Sequence, residues 1–272
     1  MNETQSAILE LLQNYAQCEY PLSLEQIHRM LTVKVNKEAL TETLQSMQHQ
    51  QLISIHDTHH WYTIRGHETT FRKREDRVDS SKKKLAILDK FGKLLRLCPL
   101  INTIVLTGSL ALDNAKESDD IDLMLITAPG TMFLCRLYAF TLAKLVGLAR
   151  RRSVEIQPDA VCINIWLDSC DLVVPIQKVS VYSAREIVNA RVIMDKNSMF
   201  EGFIHENRWI YEKLPNWDDT VASRQSTVSS PRVYLKWIND WLGRIQLWYM
   251  RPHITHEIVS KTQLWFHPKL RN

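Results

Sequence analysis

Long apolar runs, paired cysteines and a dominant sign of charge are all scarce in this 272-residue chain. Each scarcity removes a class of protein. Residues 131–149 are the one stretch long enough to raise the question of a membrane span, and Arg136 and Lys144 interrupt it. Charges inside a span are costly, so a soluble, partly buried helix is expected and no membrane partner is implied. The cysteines (Cys18, Cys98, Cys135, Cys162, Cys170) are odd in number and none forms a C-x-x-C pair. That leaves neither a disulfide framework nor a zinc knuckle, and points to reduced, mostly buried thiols. The net charge of +4 permits a polyanionic partner without demanding one. The opening MNETQSAILELL has neither the basic nor the apolar region of a signal peptide, so a cytoplasmic location is expected. No internal repeat is visible.

What is present is a sequence of helical and strand-like patterns. In residues 1–66, Ile8, Leu11, Leu12 and Tyr15 recur at helical spacing, and Ser23-Leu24-Glu25-Gln26 has the form of a capping box. A third helix follows Asn36, carrying Leu40, Leu44 and Met47. Two strand-like runs, 52–56 and 61–64, flank a turn at Asp57-Thr58-His59-His60. Three helices and a hairpin in that order predict an N-terminal winged helix-turn-helix. Residues 67–84 are charged, end in Lys82-Lys83-Lys84, and read as a linker running into a helix at about 82–97. Within 85–180, Pro99 stops that helix, and strands are predicted at 101–107, 121–127 and 161–167, with the apolar helix 131–149 between the last two. Residues 181–272 are expected to be a helical C-terminal region, with a long helix at 232–250 and a Ser-rich loop at 221–230. The fold class is therefore α/β (α+β): a winged helix, a central mixed sheet with helices, and a helical C-terminal part.

The chemistry concentrates at two strand edges. Val105-Leu106-Thr107-Gly108-Ser109 ends one strand, and Asp120-Ile121-Asp122 opens the next. Side chains alternate along a strand, so Asp120 and Asp122 share a face, where their mutual repulsion favours a cation between them. Hard carboxylate oxygens suit Mg²⁺ shared with substrate phosphates. Gly108, without a Cβ, permits close backbone approach, and Ser109 adds a hydroxyl donor for phosphate.

Thr107-Gly108-Ser109-Leu110-Ala111 followed by Ser118-Asp119-Asp120-Ile121-Asp122-Leu123 resembles the signature of the polymerase-β-type nucleotidyltransferase superfamily. More narrowly, Cys162-Ile163-Asn164, Tyr182-Ser183-Ala184-Arg185-Glu186-Ile187-Val188, Leu247-Trp248-Tyr249-Met250 and Phe266-His267-Pro268 resemble stretches of prokaryotic proteins that place a winged helix before such a domain. The resemblance implies Mg²⁺, a nucleoside triphosphate (ATP foremost), and transfer of a nucleoside monophosphate to an acceptor that is a protein, a tRNA or a small molecule. It assigns Asp120 and Asp122 to the metal, and Gly108 and Ser109 to the nucleotide. It also implies a third carboxylate on a later strand, where this chain carries Asn164; an amide oxygen can ligate but cannot take a proton. Asp159, Asp168, Glu155 and Glu186 are the substitutes to consider, and Asn164 is expected to complete the site. The alternative is a DNA-binding regulator or antitoxin-like protein whose domain binds nucleotide with little or no turnover.

Other features carry less. Asp119 is expected to serve the loop rather than the metal. Arg150-Arg151-Arg152 opposes a helix dipole. Asp76 and Asp79 dilute the basic groups 72–74 and 82–84, which predicts a solvated connector. Lys37, Thr41, Thr43, Gln45 and Gln48 form a polar face on the third helix compatible with contacting DNA, diluted by Glu38 and Glu42. Trp237, Trp241, Ile245 and Trp248 recur at three or four residues and predict a core-facing seam. His56, His59, His60 and His67 are expected to be spread apart by the hairpin, and His253/His256/Glu257 lacks the H-E-x-x-H order.

Overall fold

Local capping starts the N-terminal module. In the computed structural model, which describes residues 1–149, 157–217, 233–253 and 257–266, helix α1 (Glu3–Gln17) begins with a reciprocal box between Asn2 and Gln5. The predicted box opens α2 (Leu24–Met30): the Gln26 amide donates to Ser23 Oγ at 3.3 Å and the Ser23 amide to Gln26 Oε1 at 2.9 Å. Asn36 caps α3 (Lys37–His49) through the Ala39 amide. Strands β1 (Ile53–Ile55) and β2 (Tyr62–Ile64) pair antiparallel, Ile53 opposite Ile64. Ile8, Leu11, Ile27, Met30, Leu40 and Leu44 fill the space between these elements.

The expected linker is absent. Residues 69–95 form one continuous helix, α4 (Thr69–Leu95), roughly 40 Å long at 1.5 Å per residue. Arg77 and Lys84 turn inward, whereas Arg72, Asp76, Asp79, Lys82 and Lys83 stay exposed. Arg77 is buried, paired with Glu19 and donating to Asn114 Oδ1 at 3.0 Å. Arg74 lies over the rings of Tyr20 (4.4 Å) and Trp61 (4.1 Å), and Lys73 pairs with Glu19. The helix therefore fixes the N-terminal module to the rest of the chain.

The central sheet has the order β6-β3-β4-β5-β8-β7, from β3 (Ile101–Leu106), β4 (Ile121–Thr127), β5 (Val161–Asp168), β6 (Arg191–Asp195), β7 (Ile258–Val259) and β8 (Gln263–Trp265). Among the named strands of the described residues β4 and β5 pair in parallel and the other neighbours antiparallel, so the sheet is mixed. Strands β3, β4, β5 and β8 are buried on both faces, and the edge strands β6 and β7 are partly exposed. On one side Ile104, Leu106, Leu123, Leu125 and Trp166 pack with Leu88 and Phe91 of α4 and Phe133 of α6 (Met132–Leu145). On the other, Val105, Met124, Ile126, Ile165 and Leu167 pack with α7 (Val181–Asn189), α8 (Met199–Glu206) and α9 (Trp209–Lys213). The short α5 (Gly108–Ala111) follows β3.

The C-terminal region is not purely helical: β6, β7 and β8 join the sheet on both of its flanks. Helix α10 (Val233–Met250) packs on α6 through Asn239, whose Oδ1 accepts the Phe133 amide at 2.8 Å, and through Gly243, where a Cβ would meet the Phe133 ring at 2.8 Å. That close contact turns the tryptophan stripe outward, against expectation, with Trp237 75%, Trp241 55% and Trp248 73% exposed. All five cysteines are free; Cys98 and Cys135 are buried, whereas Cys18 and Cys170 are exposed. Among the described residues no helix is long and apolar enough to cross a membrane. The Arg150–Arg152 cluster, Glu155, the loop 221–230, His256, and His267-Pro268 of the C-terminal stretch lie outside the described residues.

Candidate active site

At the end of β3 the chain must turn sharply while staying against β4. The Thr107 amide still donates to the Asp122 carbonyl at 3.0 Å, and Gly108 then takes φ +68°. A Cβ on Gly108 would lie 2.6 Å from Asp122 Oδ2 and 3.3 Å from its Cβ and Cγ. Glycine is thus required twice, by the left-handed backbone and by the carboxylate packed against it.

The loop that leads into β4 is held by a buried lysine. Lys84 Nζ donates to the carbonyls of Glu117 (3.0 Å) and Asp119 (2.6 Å) and to Asp159 Oδ1 (2.7 Å). Asp119 Oδ2 accepts from the Lys116 amide and from Ser109 Oγ, both at 2.9 Å. Asp119 is therefore a loop-holding residue, as expected. The Ser109 hydroxyl that was expected to face phosphate is engaged by Asp119 instead.

Parallel pairing of β4 and β5 sets Asp122 opposite Cys162. Ligand atoms of Asp120, Asp122 and Cys162 all lie within 4.8 Å of one another, a spacing suited to one cation. Register shifts immediately afterwards: Leu123 faces Ile163 but Met124 faces Ile165, leaving Asn164 as the extra residue. Its Nδ2 donates to Asp122 Oδ1, and its Oδ1 accepts from Cys162 Sγ at 2.8 Å. Asn164 thus meets the site through its nitrogen. It was expected to complete the site, and it lies within it, bonded to Asp122.

Glu186 on α7 supplies a further carboxylate beside the Asp pair. It is half-buried, the Gly108 N–H donates toward it, and burial raises its pKa. Asp122 is pushed up to about 7, first by burial, then by the neighbouring Asp120, with Glu186 and Asp119 adding to the effect and the Asn164 hydrogen bond opposing it. A cluster of acids in that condition gains most from a divalent cation. The two oxygen donors fit Mg²⁺ together with phosphates. Cys162 Sγ is a softer donor suited to other metals, so Mg²⁺ would rest on the carboxylates alone. Thr107 adds a buried hydroxyl oxygen with no hydrogen-bond partner, next to the Gly108 turn.

The remaining candidates fall elsewhere. Asp168 accepts the Gly130 amide at 2.6 Å at the far end of β5, and Asp159 is taken by Lys84. Of the histidines, His56 and His59 are brought together rather than apart: their rings stack at 5.2 Å, and Glu75 lies 3.9 Å and 3.3 Å from their Nε2 atoms. Sequence reasoning missed Lys84 because its acceptors are distant in the chain, and gave Thr107 and Cys162 no role. A signal for Glu186 existed: Tyr182 and Glu186 share one face of α7 at i, i+4 spacing. No family model, curated protein or solved structure matches this chain.

Proposed function

We propose that the chain is a divalent-metal-dependent nucleotidyltransferase that moves a nucleoside monophosphate from a nucleoside triphosphate, ATP foremost, to an acceptor hydroxyl. The observation that carries this reading is the convergence of Asp120 and Asp122 on the Gly108 turn, with Asp122 packed where a side chain would otherwise stand. Charge neutralisation at the triphosphate and the leaving pyrophosphate is the chemistry that bound Mg²⁺ would supply. Asp120 and Asp122 would hold it, and Asn164 would keep Asp122 oriented. In the transfer the acceptor oxygen bonds to the α-phosphorus, the α–β bridging bond breaks, and pyrophosphate leaves. The acceptor's proton passes to Glu186, whose raised pKa suits it to general-base work nearer neutrality than an ordinary carboxylate.

The N-terminal module, read as a winged helix, would present a protein or nucleic-acid acceptor. Lys37, Gln45 and Gln48 are exposed on α3 beside Glu38 and Glu42. The Thr41 and Thr43 hydroxyls are turned back onto the Lys37 and Ala39 carbonyls, at 2.8 Å and 2.7 Å. That face supports contact with a mixed-charge partner better than with bare DNA phosphates.

A second reading, a regulator that binds nucleotide without turning it over, is favoured by one observation: the Ser109 and Asn164 side chains are both already bonded to carboxylates. One assay separates the two. The protein is incubated with each α-labelled triphosphate, Mg²⁺ and a cell extract, and both label transfer and pyrophosphate are followed. Transfer that disappears in Asp120→Ala, and whose pH profile moves in Glu186→Gln, is the expected result. Unchanged labelling in Asp120→Ala would sink the assignment. Nucleotide retention with no pyrophosphate from any extract would favour the regulator.

A further inference from the structure

Where the N-terminal module meets the sheet, residues of α2, α4, the loop after α5 and the turn from α7 into β6 enclose a polar cavity of about 250 Å³. Three guanidinium groups line it: Arg29, Arg74 and Arg191. Asp113 is the one carboxylate among the lining residues, and Arg191 already takes both of its oxygens, at 3.0 Å and 2.5 Å. Arg29 donates one nitrogen to Asn189 Oδ1 at 2.7 Å, while its Nε is buried with no partner. Arg74 donates to the Pro21 carbonyl at 2.6 Å and is held flat against Tyr20 and Trp61. Neither Arg29 nor Arg74 forms an ion pair with a described residue. Three positive charges against one negative leave a local excess of two.

Such an excess is unfavourable in a half-buried place. Burial depresses Arg29, and the neighbouring Arg191 adds to the effect. A dianion would cancel the charge and pair with the guanidinium nitrogens that reach the cavity. Guanidinium forks match phosphate oxygens in geometry, which a single carboxylate exploits less fully. The volume equals that of roughly eight waters at about 30 Å³ each. It falls below the ~300–1,000 Å³ of pockets that take drug-sized ligands. The space fits a phosphoryl group with a small attachment.

We propose that this cavity is an anion site for inorganic phosphate or a small phosphomonoester, distinct from the Asp120/Asp122 centre. An occupant touching Arg29 of α2 and Arg191 of β6 would tie the N-terminal module to the end of α7, the helix that carries Glu186. The proposal does not depend on nucleotidyl transfer.

The test is calorimetric titration of the full chain with inorganic phosphate, without nucleotide or divalent metal, at ionic strength matched with chloride. Saturable one-to-one binding is expected, weakened at least tenfold in Arg29→Gln. Because Arg29 also bonds Asn189, Gln26→Glu serves as a second variant. Glutamate keeps the capping acceptor for the Ser23 amide, loses the Gln26 Nε2 donation to Tyr20, and adds a negative charge beside Arg74; with its fold checked by circular dichroism, it should bind at least tenfold more weakly. Asp120→Asn should bind phosphate like wild type. Competition by ribose 5-phosphate assigns a free metabolite, and competition by a 5′-phosphorylated but not a 5′-hydroxyl oligonucleotide assigns a strand end. Absence of saturable binding, full binding in a folded Gln26→Glu, or loss in Asp120→Asn would each overturn the proposal.

Discussion

Replacing Asp122 with asparagine should make the metal-free protein more stable at neutral pH, although it removes a residue central to the site. The carboxyl of Asp122 is raised from 3.8 to about 7, chiefly by burial and by Asp120. About 3 pKa units at 1.36 kcal/mol each give a ceiling of about 4 kcal/mol, which water entering the half-buried site lowers. The sign follows from proton binding. Between pH 4 and 7 the folded chain holds a proton at Asp122 that the unfolded chain has lost, so stability falls as pH rises through that window. Below it the penalty is absent; above it the penalty is complete. Asparagine does not titrate, and its oxygen still accepts from Asn164 Nδ2. At about 2–4 °C per kcal/mol, half of the ceiling corresponds to a Tm about 4–8 °C above wild type at pH 8. The two proteins should converge near pH 4. Mg²⁺ at pH 8 should raise the wild-type Tm and leave the variant unchanged. Melting curves from pH 4 to 8, with EDTA and with Mg²⁺, read all of this. Parallel curves for the two proteins, or equal stabilisation of both by Mg²⁺, would refute the reasoning.

Three further outcomes are expected. Gly108→Ala forces a Cβ into the left-handed region, at about 1–2 kcal/mol, and displaces the Asp122 carboxylate it would touch at 2.6 Å. Its Tm should drop and its Mg²⁺-dependent stabilisation should vanish; a variant that keeps both shows that Asp122 is not packed against this turn. Lys84→Met strips three acceptors of their donor and should cost about 2–4 kcal/mol, together with loss of nucleotide binding, because the loop before Asp120 is released. Equilibrium urea unfolding measures the first effect, and a loss below 1 kcal/mol (about half the lower bound) would mean that Lys84 holds nothing. Tryptophan emission should be red-shifted and readily quenched by acrylamide, with most of the quenchable signal lost on changing Trp237, Trp241 and Trp248 to Phe. A blue-shifted, protected spectrum would show that the outer face of α10 is covered in solution.

Much of the local structure was legible because its causes are local. The Ser23–Gln26 box, the alternation that puts Asp120 and Asp122 on one face, and the need for glycine at a strand end each involve a few neighbouring residues. What failed to show depends on distant partners. The charged segment 67–84 is solvated on one side, but Lys73, Arg77 and Lys84 were not separable from the rest because Glu19, Asn114 and Asp159, which take them, lie far away in the chain. Strands β6, β7 and β8 are two to five residues long, too short for periodicity to separate them from turns. The tryptophan spacing showed correctly which residues share a face of α10, but not which way that face points. The other face decides that, because Gly243 and Asn239 admit Phe133 where tryptophan would not fit.

The same distinction governs the site itself. Alternation places Asn164 on the strand next to Asp122, where an amide brings no charge of its own. The register shift makes Asn164 a donor to Asp122, a role that a carboxylate could not fill without adding repulsion to an already crowded pair. Negative charge enters from α7 instead, where Glu186 approaches across the Gly108 amide. A carboxylate on a packed helix can sit near the pair without sharing its strand, and Asp122 retains a hydrogen bond that fixes its orientation. Exchanging the two, with Asn164→Asp and Glu186→Gln together, would preserve the charge but lose that bond. If orientation of Asp122 matters as this geometry requires, the double variant should bind Mg²⁺ yet transfer poorly, and restored transfer would show that charge alone is enough.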